Sequence, residues 1–348
     1  MARMVTNKDE TCFLEIGIPT YNRSRQLERL LTILEQELRS VPDHISVRIS
    51  ISDNCSSDTT PSMLQRHSFS GSAVVRRNEQ NIGALRNIWG LYESCQAQYI
   101  WIHSDDDIPQ SGSVKKVIDA LIDRQPSVLT FEFDQPMGAQ IRRHGSKEGV
   151  ELLSDMSQAI PNILVLGKLT KYVTEARNLK AVLANVSHVR DTGYGWQYVI
   201  LEALQLSSHR TVAIIHEFLA SCDEHFTKLL EEITPRYWDD YLILLDHDIV
   251  KSNCPEYVRK YKVGHFGYMV KMIYAVMAGL ATTSNTAVFQ EYGKKLPFHI
   301  SYFKNPFVFL QWISLRLNLP SFLIICQMTE YPGRIKKFLS SGVGRLAR

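Results

Sequence analysis

The first 135 residues alternate short apolar runs with longer segments of helical period, and few folds satisfy that alternation. Phe13–Ile18 is a compact apolar run ending at Pro19. Arg25–Leu38 then sets Leu27, Leu30, Leu31, Leu34 and Leu38 on one helical face, with charges between them. Val47–Ile51 is a second run and stops at Ser52-Asp53-Asn54. Ala73–Val75 is a third, followed by a helix over Gly83–Ser94. Tyr99–His103 runs into three consecutive aspartates, Val114–Arg124 is helical again, and Val128–Phe133 is a fifth strand. Strands separated by helices of this length predict an α/β fold whose parallel sheet is covered on both faces.

In such sheets ligands bind beyond the carboxyl ends of the strands. Four polar segments fall where strands should end: Pro19-Thr20-Tyr21-Asn22, Ser52-Asp53-Asn54, Asn78–Gly83 and Ser104–Asp107. Any one alone reads as a turn, because Pro, Asn, Asp, Ser and Gly dominate turns. Four at the same sheet edge point to a site. Asp105, Asp106 and Asp107 repel one another unless a cation intervenes, and a hard ion such as Mg²⁺ or Mn²⁺ prefers oxygen ligands. The alternative for the triplet is a solvated acidic turn that caps the next helix through its dipole.

Composition excludes several classes. With 45% hydrophobic and 22% charged residues over 348 positions, the chain has ample material for a core and is far from disordered composition. Its six cysteines include no C-x-x-C pair, so neither a disulfide framework nor a structural zinc site is expected. The opening MARMVTNKDETC lacks the apolar run of a signal peptide, which makes a cytoplasmic protein the expectation. No G-x-G-x-x-G follows the first strand, which argues against a dinucleotide-dependent oxidoreductase. The same position, IPTYNRS, is not the Gly-rich basic loop of a nucleotidyltransferase.

The ordered set IGIPTYNRSRQLERLL, ISDNCSSDTT, RNEQNIGALRN and YIWIHSDDDIP resembles family 2 glycosyltransferases of the GT-A fold, a Rossmann-like fold of nucleotide-diphospho-sugar transferases. It is similar in particular to bacterial enzymes that build O-antigen and other surface polysaccharides, such as abequosyltransferase-like proteins. The resemblance implies that Pro19, Thr20, Tyr21 and Asn22 line the nucleotide pocket, with the Tyr21 ring near the base. It implies that Asp53 accepts a hydrogen bond from base or ribose beside Asn54. Asn81, Gly83 and Arg86 then lie near base and diphosphate, and Asp105 binds ribose or metal. Asp106 or Asp107 would hold the Mn²⁺ or Mg²⁺ that neutralises the diphosphate leaving group. Many relatives read Asp-x-Asp-Asp here, whereas this chain has Ser104 where the first aspartate would stand.

The second half is expected to supply the acceptor site and a catalytic base. Relatives often carry a Glu-Asp pair at a helix start. Here the corresponding loop reads RDTGYGWQYVILEAL, where Asp191 is the only carboxylate before the helix and Glu202 lies further in. Asp191 is the expected base, and Trp196 and Tyr194 the residues able to stack on an acceptor sugar, although Trp196 equally suits a core. His225, in SCDEHF, is the expected completion of the metal or diphosphate site. Leu169–Val173 and Thr211–Leu219 are expected strands, Tyr198–Leu206 and Tyr237–Val250 helices, and 135–166 an exposed connection.

Residues 251–348 hold 14 basic against 3 acidic residues, a net +11, which leaves the first 250 with 25 against 33, or −8. Pro306–Met328 is apolar but broken by Gln311, Arg316, Asn318 and Pro320, which suits a helix lying in a membrane interface better than one crossing it. Arg334, Lys336, Lys337, Arg345 and Arg348 follow, the sequence form of binding to an anionic membrane surface. A helical subdomain with solvated charge is the alternative, and no nucleic-acid-reading motif accompanies the charge. The expectation is a GT-A catalytic domain over 1–226, divided near 135–136 into a nucleotide-sugar half and an acceptor half, followed by a mostly helical basic region over 227–348. Its partners would be a nucleotide-diphosphate sugar and a lipid-linked saccharide, met at the inner face of the cytoplasmic membrane. The alternatives are another acceptor (a polyprenyl phosphate or a protein) or a degenerate nucleotide-sugar-binding scaffold.

Overall fold

The computed structural model describes residues 3–5, 12–134, 148–164, 169–192, 195–222 and 243–259. The chain divides into two compact units. One is Met1–His225 with Ile243–Pro255, and the other is Phe226–Leu242 with Glu256–Arg348. Within the first unit the edge strand β1 (Arg3–Val5) precedes β2 (Leu14–Thr20), α1 (Ser24–Leu38), β3 (Val47–Asp53), α2 (Thr60–Arg66) and β4 (Ser72–Arg77). Then come α3 (Ala84–Ser94), β5 (Tyr99–Ile102), β6 (Asp107–Pro109), α4 (Ser113–Arg124) and β7 (Val128–Asp134). The remainder is β8 (Val150–Leu153), α5 (Met156–Ile163), β9 (Tyr172–Glu175), α6 (Leu179–Asn185), α7 (Gly195–Leu206), β10 (Val212–Cys222) and α8 (Asp248–Asn253).

The sheet runs β1-β4-β3-β2-β5-β9-β7-β10-β6, with β8 also on β10. β4, β3, β2 and β5 are parallel neighbours, and so are β7 and β10. The five strands expected over the first 135 residues, β2, β3, β4, β5 and β7, do run in one direction, and the antiparallel β1, β6, β8 and β9 make the whole sheet mixed. β9 lies antiparallel between β5 and β7, and β6 and β8 are antiparallel to β10. A parallel neighbour needs a full crossover, and β9 follows a short 3-10 turn at Leu169–Lys171 where a longer strand was expected.

Alternation along the strands sorts the core into two layers. Leu14, Ile16, Ile18, Tyr99 and Trp101 pack with Leu27, Leu30, Leu31 and Leu34 of α1 and with Val114, Val117 and Leu121 of α4. Ile100 and Ile102 face the other way, against Trp89, Leu91 and Tyr92 of α3, Val182 of α6 and Val199 of α7. Gly17 lets α3 approach the sheet, since a Cβ there would stand 2.9 Å from Ile102 Cδ1 and 3.5 Å from Leu91. Glu37, buried at the end of α1, accepts from the Gly112 and Val114 N–H groups at 2.9 and 3.2 Å. A carboxylate there complements the N-terminus of α4 and ties the two helices together.

Two further expectations are corrected. Residues 148–164 are not an exposed connection: β8 pairs with β10, and α5 buries Met156, Ala159, Ile160 and Ile163. The described part of the expected helix Tyr237–Val250 breaks at Asp246-His247, because the His247 ring nitrogen accepts from Ile249 N–H and starts α8. Its first residues, 237–242, lie outside the described residues, as do the basic segments beyond Arg259. Among the described residues no helix is long and apolar enough to cross a membrane.

Candidate active site

The four polar segments do meet at the carboxyl edge of β2, β3, β4 and β5. Thr20 ends β2 opposite Asp53 of β3, and its carbonyl accepts from Asn54 N–H at 2.9 Å. Its hydroxyl donates to Asp105 Oδ2 at 2.7 Å, so one residue, through its carbonyl and its hydroxyl, joins the Asp53 segment to the aspartate triplet. Pro19 precedes it in the strand, paired with Ser52. Tyr21 is 41% exposed at the rim, a large ring left in solvent beside a buried polar centre.

Asn22 turns the chain into α1 with a left-handed φ of 52°. Asparagine tolerates that region because its short polar side chain bonds locally. Here Asn22 Oδ1 accepts from Ser57 N–H at 2.7 Å and Asp58 N–H at 3.3 Å. Asp58 in turn accepts from Ser24 N–H at 3.3 Å and Thr60 N–H at 2.9 Å, serving the starts of α1 and α2 together. Slight desolvation opposes its charge, but these bonds hold its carboxyl below the usual range.

The triplet is divided by its surroundings. Asp105 is buried, and Arg23 Nη1 lies 2.8 Å from its Oδ1 and 2.9 Å from Asp106 Oδ2. Burial pushes the Asp105 carboxyl up to about 6, although Arg23 and Thr20 pull the other way. Burial also opposes the Arg23 charge, but the two aspartates outweigh it and raise the guanidinium above its ordinary value. Ser104 Oγ donates to Asp106 Oδ1 at 2.5 Å. Asp107 sits in β6, 1% exposed, with its Oδ2 accepting from the Thr170 hydroxyl. That hydroxyl also accepts from Ser104 N–H at 3.0 Å, so Thr170 holds the triplet loop from below. His103, fully buried just before the triplet, donates through Nδ1 to Ser104 O at 2.9 Å. Desolvation lowers it to about 4 and keeps it neutral.

Asp53 Oδ1 accepts from Ser56 N–H at 2.9 Å. Its Oδ2 is buried and accepts no hydrogen bond from the described residues; Arg77 Nε lies 3.6 Å away, an ion pair beyond hydrogen-bond reach. Asp53 and Arg77 line a cavity of about 700 Å³ shared with Pro61, Leu64, His67 and Phe69. Asn54 and Asn81 belong to an amide network: Asn54 Nδ2 donates to Asn81 Oδ1 at 2.7 Å, and Asn54 Oδ1 accepts from Asn78 and from Ile82 N–H at 3.0 Å each. Asn87 continues it to Ser52 and Asn78. The network shapes loop 78–83, where Gly83 supplies the φ of 87° that starts α3.

Arg86 and Asp191 face each other across a bidentate pair, Nε to Oδ1 at 2.8 Å and Nη2 to Oδ2 at 3.0 Å. The guanidinium of Arg86 foremost, with Arg190, lowers the Asp191 carboxyl to about 2. Both partners are about half exposed. Glu202 is enclosed instead, accepting from Asn185 at 2.7 Å and lying 3.2 Å from His247 Nε2. Trp196 packs on Tyr172 with ring centroids 5.7 Å apart. His225 and Tyr194 lie outside the described residues. Arg23 and Thr170 are the residues that sequence reasoning missed. Arg23 stands inside the first motif, where its cation four residues after Pro19 was the available signal. Thr170 left none, because its partners are 63 and 66 residues away.

Two carboxylates converging on one point suit a hard divalent ion, which needs only one or two protein oxygens when substrate phosphates supply the rest. Among the described residues no group of three or more His, Cys, Asp or Glu side chains is arranged to hold an ion.

Residues 15–170 match the model of Glycosyl transferase family 2. Over 113 residues the chain is 31% identical to the abequosyltransferase RfbV of Salmonella typhimurium, covering 32% of this chain and 33% of that protein. The match thus spans about a third of the length of that curated relative. Among solved structures, S. aureus TarS 1-349 in complex with UDP-GlcNAc superposes with a TM-score of 0.57 at 12% identity, covering 91% of each chain. The longer S. aureus TarS gives 0.52 at 12% identity, over 87% of this chain and 49% of that one. These likenesses bear on the fold, and with the strand-end motifs they make residues 15–170 a glycosyl transferase family 2 domain on a GT-A sheet.

Proposed function

We propose that the chain transfers a sugar from a nucleoside-diphosphate sugar to an acceptor hydroxyl. The observation that carries this reading is Thr20, which joins two different functions at one sheet edge. On one side lies Asp53, with an unmet acceptor oxygen at a cavity of nucleoside size; on the other lies the Asp105–Asp106 pair. An acceptor beside a cavity suits a base or ribose donor group, and Tyr21 offers an exposed ring for the base. The TarS form with UDP-GlcNAc, alike in fold, supports a donor of this class. Asp105 and Asp106 would hold Mg²⁺ or Mn²⁺, which when bound neutralises charge on the leaving diphosphate.

Asp191 is the base in this reading. It takes the proton from the acceptor hydroxyl as the oxygen attacks the anomeric carbon and the bond to the diphosphate breaks, which inverts that carbon. While paired with Arg86 it is too weak a base for that task. When Arg86 turns to the diphosphate, Asp191 loses the partner that lowers it and rises toward the ordinary carboxylate range. Domain 1–226 carries the chemistry in this reading. The net +11 of residues 251–348 favours an anionic membrane surface, and hence a lipid-linked saccharide acceptor in surface-polysaccharide synthesis. The similarity to the abequosyltransferase supports the same pathway class.

Thermal unfolding against UDP, GDP, CDP and dTDP, each with and without Mn²⁺, tests the donor half. A nucleotide at ~100 times its dissociation constant stabilises the native state by about 2.7 kcal/mol. A metal-dependent shift with one nucleotide, lost in Asp106→Asn, is expected. No shift with any nucleotide would contradict the reading.

A further inference from the structure

The acidic pair already has a cation, and it belongs to the chain. Arg23 leaves the turn fixed by Asn22 and reaches both Asp105 Oδ1 and Asp106 Oδ2 through one nitrogen. Its side chain is 44% exposed and that of Asp105 5%, so the guanidinium closes the buried carboxylate from the solvent side. The other oxygens are engaged elsewhere, Asp105 Oδ2 by Thr20 and Asp106 Oδ1 by Ser104. The two oxygens that converge are therefore the two that Arg23 holds. These are the oxygens a divalent ion would take under the reading above, on which this inference rests. One cation must leave for the other to bind, because both demand the same lone pairs and repel each other at that distance.

We propose that Arg23 is a resident counter-ion of the acidic pair and that divalent-ion binding is an exchange against it. Arg23 is thus a positioning residue: it holds the facing oxygens of Asp105 and Asp106 together when no metal is bound, at the expense of metal affinity. Ser104 fits this arrangement. An aspartate there would add a carboxylate to the loop, whereas the serine hydroxyl orients Asp106 without adding charge.

The test is direct Mn²⁺ binding to the full chain without nucleotide, read by electron paramagnetic resonance of free Mn²⁺. Wild type, R23Q, R23K and D106N are compared. Removing a unit positive charge from the ion's own position should tighten Mn²⁺ binding at least ~10-fold in R23Q. R23K keeps the charge and should stay near wild type. Equal or weaker binding in R23Q would overturn the exchange. If D106N still abolishes binding in that case, the metal reading survives and only the role of Arg23 falls. If no form binds Mn²⁺, both fall. Should R23Q fail to fold, the wild-type chain gives the answer with Mg²⁺ and ¹⁵N-arginine labelling. The Arg23 Nε–H signal, assigned by its loss in R23K, must move on saturation, and an unmoved signal would overturn the proposal.

Discussion

Replacing Thr170 by valine removes one hydroxyl and leaves side-chain volume and branching almost unchanged. Thr170 is fully buried, and its carbonyl bond from Trp101 Nε1 at 2.7 Å survives the change. Two partners lose something. Ser104 N–H, part-buried, loses its acceptor at 3.0 Å, which costs ~1 kcal/mol, the lower end for an amide left without a partner. Asp107, 1% exposed, loses a hydroxyl donor to a carboxylate, a bond of the charge-assisted class worth about 1.5–3 kcal/mol. The two losses share one loop and will not add fully, which puts the expected destabilisation at about 3 kcal/mol. Urea unfolding of full-length wild type and T170V, followed by tryptophan fluorescence, measures it. Because Ser104 also orients Asp106, the Mn²⁺-dependent nucleotide shift should weaken in the same variant. A loss below about 1 kcal/mol with an unchanged nucleotide shift would refute the claim that Thr170 holds the triplet loop.

Asp191→Asn should leave the unfolding transition in place, since Asp191 and Arg86 are both half exposed, while turnover drops ~10²- to 10⁴-fold; an active D191N enzyme would assign the base elsewhere. Asp105 gives a pH signature of definite sign. Its folded value of about 6 lies above the ordinary 3.8, so the stability it contributes is fully present below pH 3.8 and lost as pH rises through about 6. The span is about 3 kcal/mol, and Asp105→Asn should remove that part of the pH profile in urea titrations. Protons compete for the same carboxylate, so the Mn²⁺-dependent nucleotide shift should fade below about pH 6.

Where apolar period decided structure, the sequence was readable. Leu27, Leu30, Leu31 and Leu34 do form the buried face of α1, and the strand-end polar residues do converge. What stayed hidden depends on distant partners. β6 is three residues long, contains Pro109, and exists because β10, more than a hundred residues later, pairs with it. Asp107 read as a candidate metal ligand because nothing nearby in sequence reveals Thr170. Asn54 and Asn81 read as pocket residues, yet their hydrogen bonds hold one another and loop 78–83. The first motif gave Arg23 to the eye but not its role, since a cation that sits beside two aspartates in space is 82 residues from the nearer of them in sequence.

Transfer itself is the most direct test. The full chain, Mn²⁺ and a radiolabelled sugar donor carrying the nucleotide selected by thermal shift are incubated with membranes containing polyprenyl-diphosphate-linked saccharides. Label in the lipid-extractable fraction is then counted against release of nucleoside diphosphate. Equal amounts of lipid-bound sugar and released nucleotide are expected, both lost in D106N and in D191N. Nucleotide binding with no transfer of label, or transfer unchanged in both variants, would contradict the proposed transfer.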